Sequence, residues 1–231
     1  MFSKIFLKRI KDLQLLSLSK GIVLFLTCFA CNTLIIKVLN YFLTPVPAAI
    51  IASVVVGPLI EENAKQIAIK GDFAQEFLVV FNAGEFGHYA INMKKAGFNL
   101  KGILMGRLPA VGLHITTMAI QKLADNPKIH KALGIDKEED AEKRKRLSFI
   151  GHLIGLLVHA TFNALSVKFE GKILEKIGNA GGHNAMSGSD LKQYTDSTWE
   201  IAKKTPSGRI IKQQQKQIAN NLNRESNNLD L

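Results

Sequence analysis

The chain has 231 residues, 47% of them hydrophobic, with 30 Lys/Arg against 19 Asp/Glu and a formal net charge of +11. Its mean hydropathy of +0.10 conceals an uneven distribution. Residues 38–60 form a run of 23 positions, and residues 147–167 a run of 21, without a formal charge, each long enough to cross a bilayer. Such runs exclude a soluble globular domain. Nucleic acid is set aside as a partner, because the basic residues flank the apolar runs and no aromatic residues interleave with them.

In chain order, residues 1–20 place Phe2, Ile5, Phe6, Ile10, Leu13 and Leu16 at helical spacing among basic residues, the pattern of an amphipathic interfacial helix. A first span is expected over 21–43. It contains a C-x-x-C at Cys28 and Cys31, read as two small apolar side chains in a buried setting. Pro45 and Pro47 end that helix and start a second span over 47–70. A third span is expected over 74–93, a fourth over 102–123 and a fifth over 147–169, where Gly151 and Gly155 smooth one face for close helix packing. The expectation is therefore an all-α, multi-pass transmembrane bundle of about five spans over 21–169. Residues 170–231, rich in Gly, Ser, Asn and Gln, read as a flexible linker and polar tail. Five Lys/Arg before the first span and eight over 122–146, against three over 94–101, place the first two segments on the cytoplasmic side.

Ionisable groups inside spans are costly and mark functional sites. Here they are of one kind: Glu61, Glu62, Glu85, His88, His114, His152 and His159, joined by Lys65, Arg107 and Asn163. With the spans placed as above, Glu61/Glu62, Glu85, His114 and His159 each lie about 12–18 Å from one membrane surface, so four helices bring polar groups to one layer. A carboxylate can deprotonate water, imidazoles can hold a metal or stabilise an oxyanion, and an amide can orient a carbonyl. Peptide hydrolysis uses that set. Glu61 and Glu62 are about 100° apart on a helix, so one is expected to face water and the other a cation, with Lys65 at the favourable i, i+4 spacing from Glu61. His159 and Asn163, four apart, share a face. His88 stands three after Glu85, the Glu-x-x-His spacing of di-iron bundles, but only one such pair is present. His130 and His183 fall in polar segments.

Glu61-Glu62-x-x-Lys65, Phe81-x-x-x-Glu85 with Tyr89, Arg107 with His114, and His159-x-x-x-Asn163 occur in order over about 57–165, one motif per span. Together they resemble the PrsW family of intramembrane proteases, within the superfamily of CAAX prenyl proteases and bacteriocin-immunity proteins. Phe86 stands where that family usually has asparagine. The resemblance implies an intramembrane endopeptidase acting on a membrane protein or peptide in a bilayer, in a bacterial cytoplasmic membrane. By the same resemblance Glu61, Glu62, Glu85, His114 and His159 are catalytic, Asn163 supports the transition state, and Lys65 and Arg107 are supporting residues. The cofactor stays open. A divalent metal such as zinc, if used, is expected on Glu62, Glu85, His114 and His159. Two other readings of the same layer are a catalytically silent relative that binds a partner or confers immunity, and a metal-binding redox or transport protein.

Overall fold

The computed structural model describes residues 2–43 and 45–204, with side chains over 14–43 and 47–197. The polar tail expected beyond residue 204, and the side chains of the interfacial face expected before residue 14, lie outside the described residues. The backbone from Phe2 runs without a break into the first span as α1 (Phe2–Phe42). Next come α2 (Pro45–Ile51), a π-helical segment (Ala52–Val56) and α3 (Gly57–Lys70), which together make one continuous passage. The chain continues through α4 (Ala74–Lys95), α5 (Leu100–Ala124), the short α6 (Pro127–Ala132), a 3₁₀ turn (Glu138–Asp140) and α7 (Ala141–Lys168). It ends in α8 (Glu170–Asn179) and α9 (Gly188–Lys204).

The protein is an all-α membrane protein. Four helical stretches among the described residues are long and apolar enough to cross a bilayer: Gln14–Phe42, Pro47–Lys70, Leu100–Ala124 and Glu138–Lys168. The other expected span, α4, has 22 residues, about 33 Å of helix, but Glu76, Glu85, Lys94 and Lys95 lower its apolar content. It lies along α1 in parallel: the Lys20 ammonium sits over Phe73, Phe25 packs edge-on against Phe81, and Phe29 meets His88.

Helix α3 is central, with α1, α4, α5 and α7 around it. Small side chains let them close in. Ala64 and Ala68 of α3 are buried with Cys28, Phe73, Phe77, Phe81 and Met118 in one apolar cluster. Cys28 meets the expectation of a buried cysteine, whereas Cys31 is exposed on the outer surface of α1. Helix α7 meets α5 across Gly151 and Gly155, where a Cβ on Gly151 would overlap that of Ala124. The polarity of the bundle is inverted relative to a soluble protein. Lys65, Glu62, His114, Thr117 and Gln121 are among the most completely buried side chains, while Leu157, Val79 and Leu34 face outward, more than 60% exposed.

The flexible linker expected after residue 169 is helical instead over most of 170–204. Residues 170–204 form α8 and α9, which fold onto the end of the bundle at the α4–α5 turn. Ile177 and Leu191 are buried there with Phe98 and Ile103, and Phe86, Met93, Leu174 and Met186 pack around them. Among the glycines that suggest flexibility, Gly182 permits close approach instead, since a Cβ there would come within 2.8 Å of the Gly102 Cα. Asn99 donates from Nδ2 to the Gly181 carbonyl at 2.8 Å and from its backbone to Gly182 at 3.1 Å. His183 donates from Nε2 to the Ala96 carbonyl and accepts at Nδ1 from the Ala185 and Met186 amides.

Candidate functional site

The layer begins with a break in helical register. Pro58 has no N–H, so the Val54 carbonyl cannot be served from four residues on, and the chain takes up π spacing over Ala52–Val56, where the Gly57 amide reaches back to the Ala52 carbonyl. The Ser53 carbonyl is then left without a donor at either Gly57 or Pro58. Asn163 on α7 supplies it, donating from Nδ2 at 2.7 Å. The resemblance implied transition-state support for this amide, but its N–H₂ is engaged on the backbone about two turns before the glutamates. Helical irregularities of this kind are frequent at functional sites.

Glu62 is fully buried, and both its carboxylate oxygens are taken. Oε1 accepts from Lys65 Nζ at 2.6 Å, His159 Nδ1 at 2.7 Å and Thr117 Oγ1 at 3.2 Å, and Oε2 accepts from Gln121 Nε2 at 2.6 Å. Oε1 is thereby filled, Oε2 is bonded to Gln121, and the side chain is sealed, so Glu62 is placed as an anchor and not against an entering water. Lys65 is likewise filled: besides Glu62 it donates to Thr117 Oγ1 at 2.6 Å and His114 Nδ1 at 3.3 Å. The Glu61–Lys65 pair expected from spacing is thus replaced by Glu62–Lys65, because the ammonium is drawn to the α5 face where Thr117 and His114 complete its three bonds.

Glu85 on α4 forms the second anchor. Its Oε2 accepts from His114 Nε2 at 2.9 Å and its Oε1 from Arg107 Nη2 at 2.9 Å, and the guanidinium lies over the Tyr89 ring at 3.9 Å. Each imidazole is therefore held by a carboxylate through its outer nitrogen, His159 by Glu62 and His114 by Glu85. These partners assign the protons to His159 Nδ1 and His114 Nε2 and turn the other nitrogens inward. Both inner nitrogens face Glu61, whose Oε2 lies 3.6 Å from His159 Nε2 and 3.9 Å from His114 Nδ1. Glu61 is the one carboxylate of the layer without a Lys or Arg ion pair. Its side chain is 14% exposed and that of Glu85 22%, whereas Glu62 and Lys65 are sealed, so the layer opens on the Glu61/Glu85 side.

Glu61, His114 and His159 each offer a ligand atom, and these atoms lie within 4.8 Å of one another. Two imidazoles and one carboxylate are the donor set of a catalytic zinc with an open position, and carboxylates on the outer nitrogens are its usual support. The set differs from the one expected from sequence, since Glu62 and Glu85 grip the histidines from behind and Glu61 takes the inward place. Lys65 Nζ competes with any such cation for His114 Nδ1.

The ionisable motif residues Glu61, Glu62, Lys65, Glu85, Arg107, His114 and His159 join one hydrogen-bonded or ion-paired layer, while Phe81 and Tyr89 pack their rings against His114 and Arg107. His88 is outside it, hydrogen-bonded with Asn92 at 3.3 Å, so the Glu85–His88 spacing forms no ligand pair. His130 donates to the Ala124 carbonyl at 2.8 Å at the end of α5. Thr117 and Gln121 belong to the layer and were not singled out from sequence. Their signal was the stripe His114, Thr117, Gln121, one polar residue per turn on an apolar helix.

Comparison with protein-family models, curated proteins and solved structures finds no match for this chain.

Proposed function

We propose that the protein is a membrane-embedded endopeptidase in which Glu61 activates water against a peptide bond of a membrane protein or peptide. The observation that carries this reading is the geometry at Glu61: a carboxylate without a cationic partner, reachable from one side and faced by two imidazoles whose outer nitrogens are pinned. Glu61 accepts a proton as the water oxygen bonds to the carbonyl carbon, and that proton passes to the leaving nitrogen as the C–N bond breaks. His159, with Nδ1–H held by Glu62, offers a second station for the proton at Nε2, in the manner of a carboxylate-oriented base. Arg107 and Glu85 hold His114 in place. A divalent cation on Glu61, His114 and His159 would add polarisation of the water and carbonyl. The resemblance to the PrsW motifs supports the same reading, and with it a bacterial cytoplasmic membrane whose inner face carries the basic 122–146 connector.

Cleavage of a transmembrane peptide by protein reconstituted in bilayers tests this. Glu61→Gln is expected to lower the rate by about 10²–10⁴-fold, the size of a general-base contribution, and an unchanged rate refutes the proposal. One observation favours a rival of the same architecture that binds without cleaving: Lys65 already occupies an inward imidazole nitrogen. Wild type that cleaves nothing but retains a specific membrane partner in both wild type and Glu61→Gln would establish that rival.

A further inference from the structure

The buried polar residues do not stop at Glu62. Buried and half-buried polar residues continue toward the end of the bundle that bears the 122–146 connector, by about one turn along α3 and α5 and by about two to three turns along α7. On α3, Gln66 follows Glu62 by four residues; on α5, Asp125 follows Gln121 by four; on α7, Ser148, His152, Gly155 and His159 share a face. Gln66 Nε2 donates to Asp125 Oδ2 at 3.2 Å and to Ser148 Oγ at 2.9 Å. Those bonds orient the Gln66 amide, and the bond to Glu62 orients that of Gln121. In both, the carbonyl oxygen is left buried with no protein donor, and His152 Nδ1 is buried without a partner at the same end. Gln121 is fully buried. Three such atoms between the same helices are a costly arrangement unless water completes them, and water needs two to four polar partners to stay. The absence of a side chain at Gly155 leaves the Gln121 and Glu62 side chains room against α7, since a Cβ there would come within 3.1 Å of Gln121 Nε2 and 3.2 Å of Glu62 Oε2.

We propose that Gln66, Gln121, Ser148 and His152 line an internal column of water running from the connector end of the bundle to the Glu62 side of the layer. It solvates the back of the site independently of the open Glu61/Glu85 side, and on the peptidase reading, on which this role rests, it hydrates the Gln121–Glu62 pair that orients His159. Gln121 is then a positioning residue that joins the column to Glu62.

Thiol accessibility tests the column in the full chain in nanodiscs, with Cys28 and Cys31 replaced by alanine. The probe is methanethiosulfonate ethylammonium, which reacts with thiolate and so requires water at the sulfur. Gln121→Cys is expected to react at least about tenfold faster than the outward-facing Ala119→Cys, whose thiol meets lipid and stays protonated. Thr117→Cys, close to the native size, provides a second reading deep in the column. Plugging the passage with Ser148→Leu is expected to slow the Gln121→Cys reaction about tenfold by removing its water. Rates at Gln121→Cys and Thr117→Cys no faster than at Ala119→Cys, in monodisperse protein, overturn the column; so does a Gln121→Cys rate unaffected by Ser148→Leu. Labelling does not depend on turnover, so a protein that labels as expected but cleaves nothing loses the peptidase reading and keeps the column.

Discussion

Glu61 and Glu62 are neighbours in sequence, yet their surroundings assign them opposite work. Glu62 balances Lys65 and orients His159 and Gln121, so its substitution strikes at the packing of three helices. Glu62→Gln leaves a buried ammonium without its counter-charge, for which a loss of about 3–5 kcal/mol is expected, read as a lowered melting temperature in detergent. Glu61→Gln removes no pair with Lys or Arg and is expected to melt within a few degrees of wild type while losing turnover. Equal melting temperatures for wild type and Glu62→Gln would contradict this division. At this scale the sequence was informative about ionisable residues, because charge inside a span is rare enough to be conspicuous. It could not rank Glu61 against Glu62: the choice depends on which carboxylate meets α5 and α7, and spacing along α3 alone favoured the wrong partner for Lys65. Thr117 and Gln121 escaped notice for a related reason. Uncharged polar residues are common on helices, and only their donation to Glu62 separates them from background.

The passage from Pro45 to Lys70 owes its shape to Pro58, and the position of Glu61 follows from it. Pro58→Ala restores an amide where the α-helical ladder lacks one, which lets the π segment relax and turns Glu61 relative to His114 and His159. Turnover is expected to fall at least tenfold with stability maintained or raised, a combination that parallel melting and cleavage measurements would detect; unchanged turnover would show that the register break does not set the site. At the other end of the bundle, α8 and α9 cover Phe98 and Ile103. Truncation after Phe169 is expected to expose that cluster and cause aggregation on size-exclusion chromatography. His183→Ala, which deletes three hydrogen bonds, is expected to cost about 1–3 kcal/mol; a truncated chain that stays monodisperse would show that the cap is dispensable. Four of the expected spans were legible because long apolar runs leave few alternatives, whereas α4 forms as a helix without that apolar content. The cap was not, since its Gly- and Asn-rich turn has the composition of a linker, and the apolar spacing of Leu174, Ile177 and Leu191 becomes meaningful only once Phe98 and Ile103 are seen to lie beneath it.

For the whole molecule, the parallel course of α1 and α4 and the docking of α8 and α9 at the α4–α5 turn put the 71–73 turn and the 122–146 connector at one end, and the 96–99 turn with the C-terminal helices at the other. Cysteines placed at Lys95 and Lys137 should therefore label from opposite sides of sealed vesicles, with Lys137 on the cytoplasmic side by the distribution of basic residues; labelling from one side would overturn the topology. A polar interior reached from one end, within a lipid-facing shell, is the arrangement that hydrolysis inside a bilayer requires, since water and an apolar substrate must meet at one carboxylate. The central claim, that Glu61 directs water onto a peptide bond, is tested most directly by mass spectrometry of a transmembrane peptide incubated with the reconstituted protein in H₂¹⁸O. Wild type is expected to give two fragments, with ¹⁸O in the newly formed carboxylate, and Glu61→Gln to leave the peptide intact. Intact peptide from wild type, or equal labelled cleavage by Glu61→Gln, would contradict that claim.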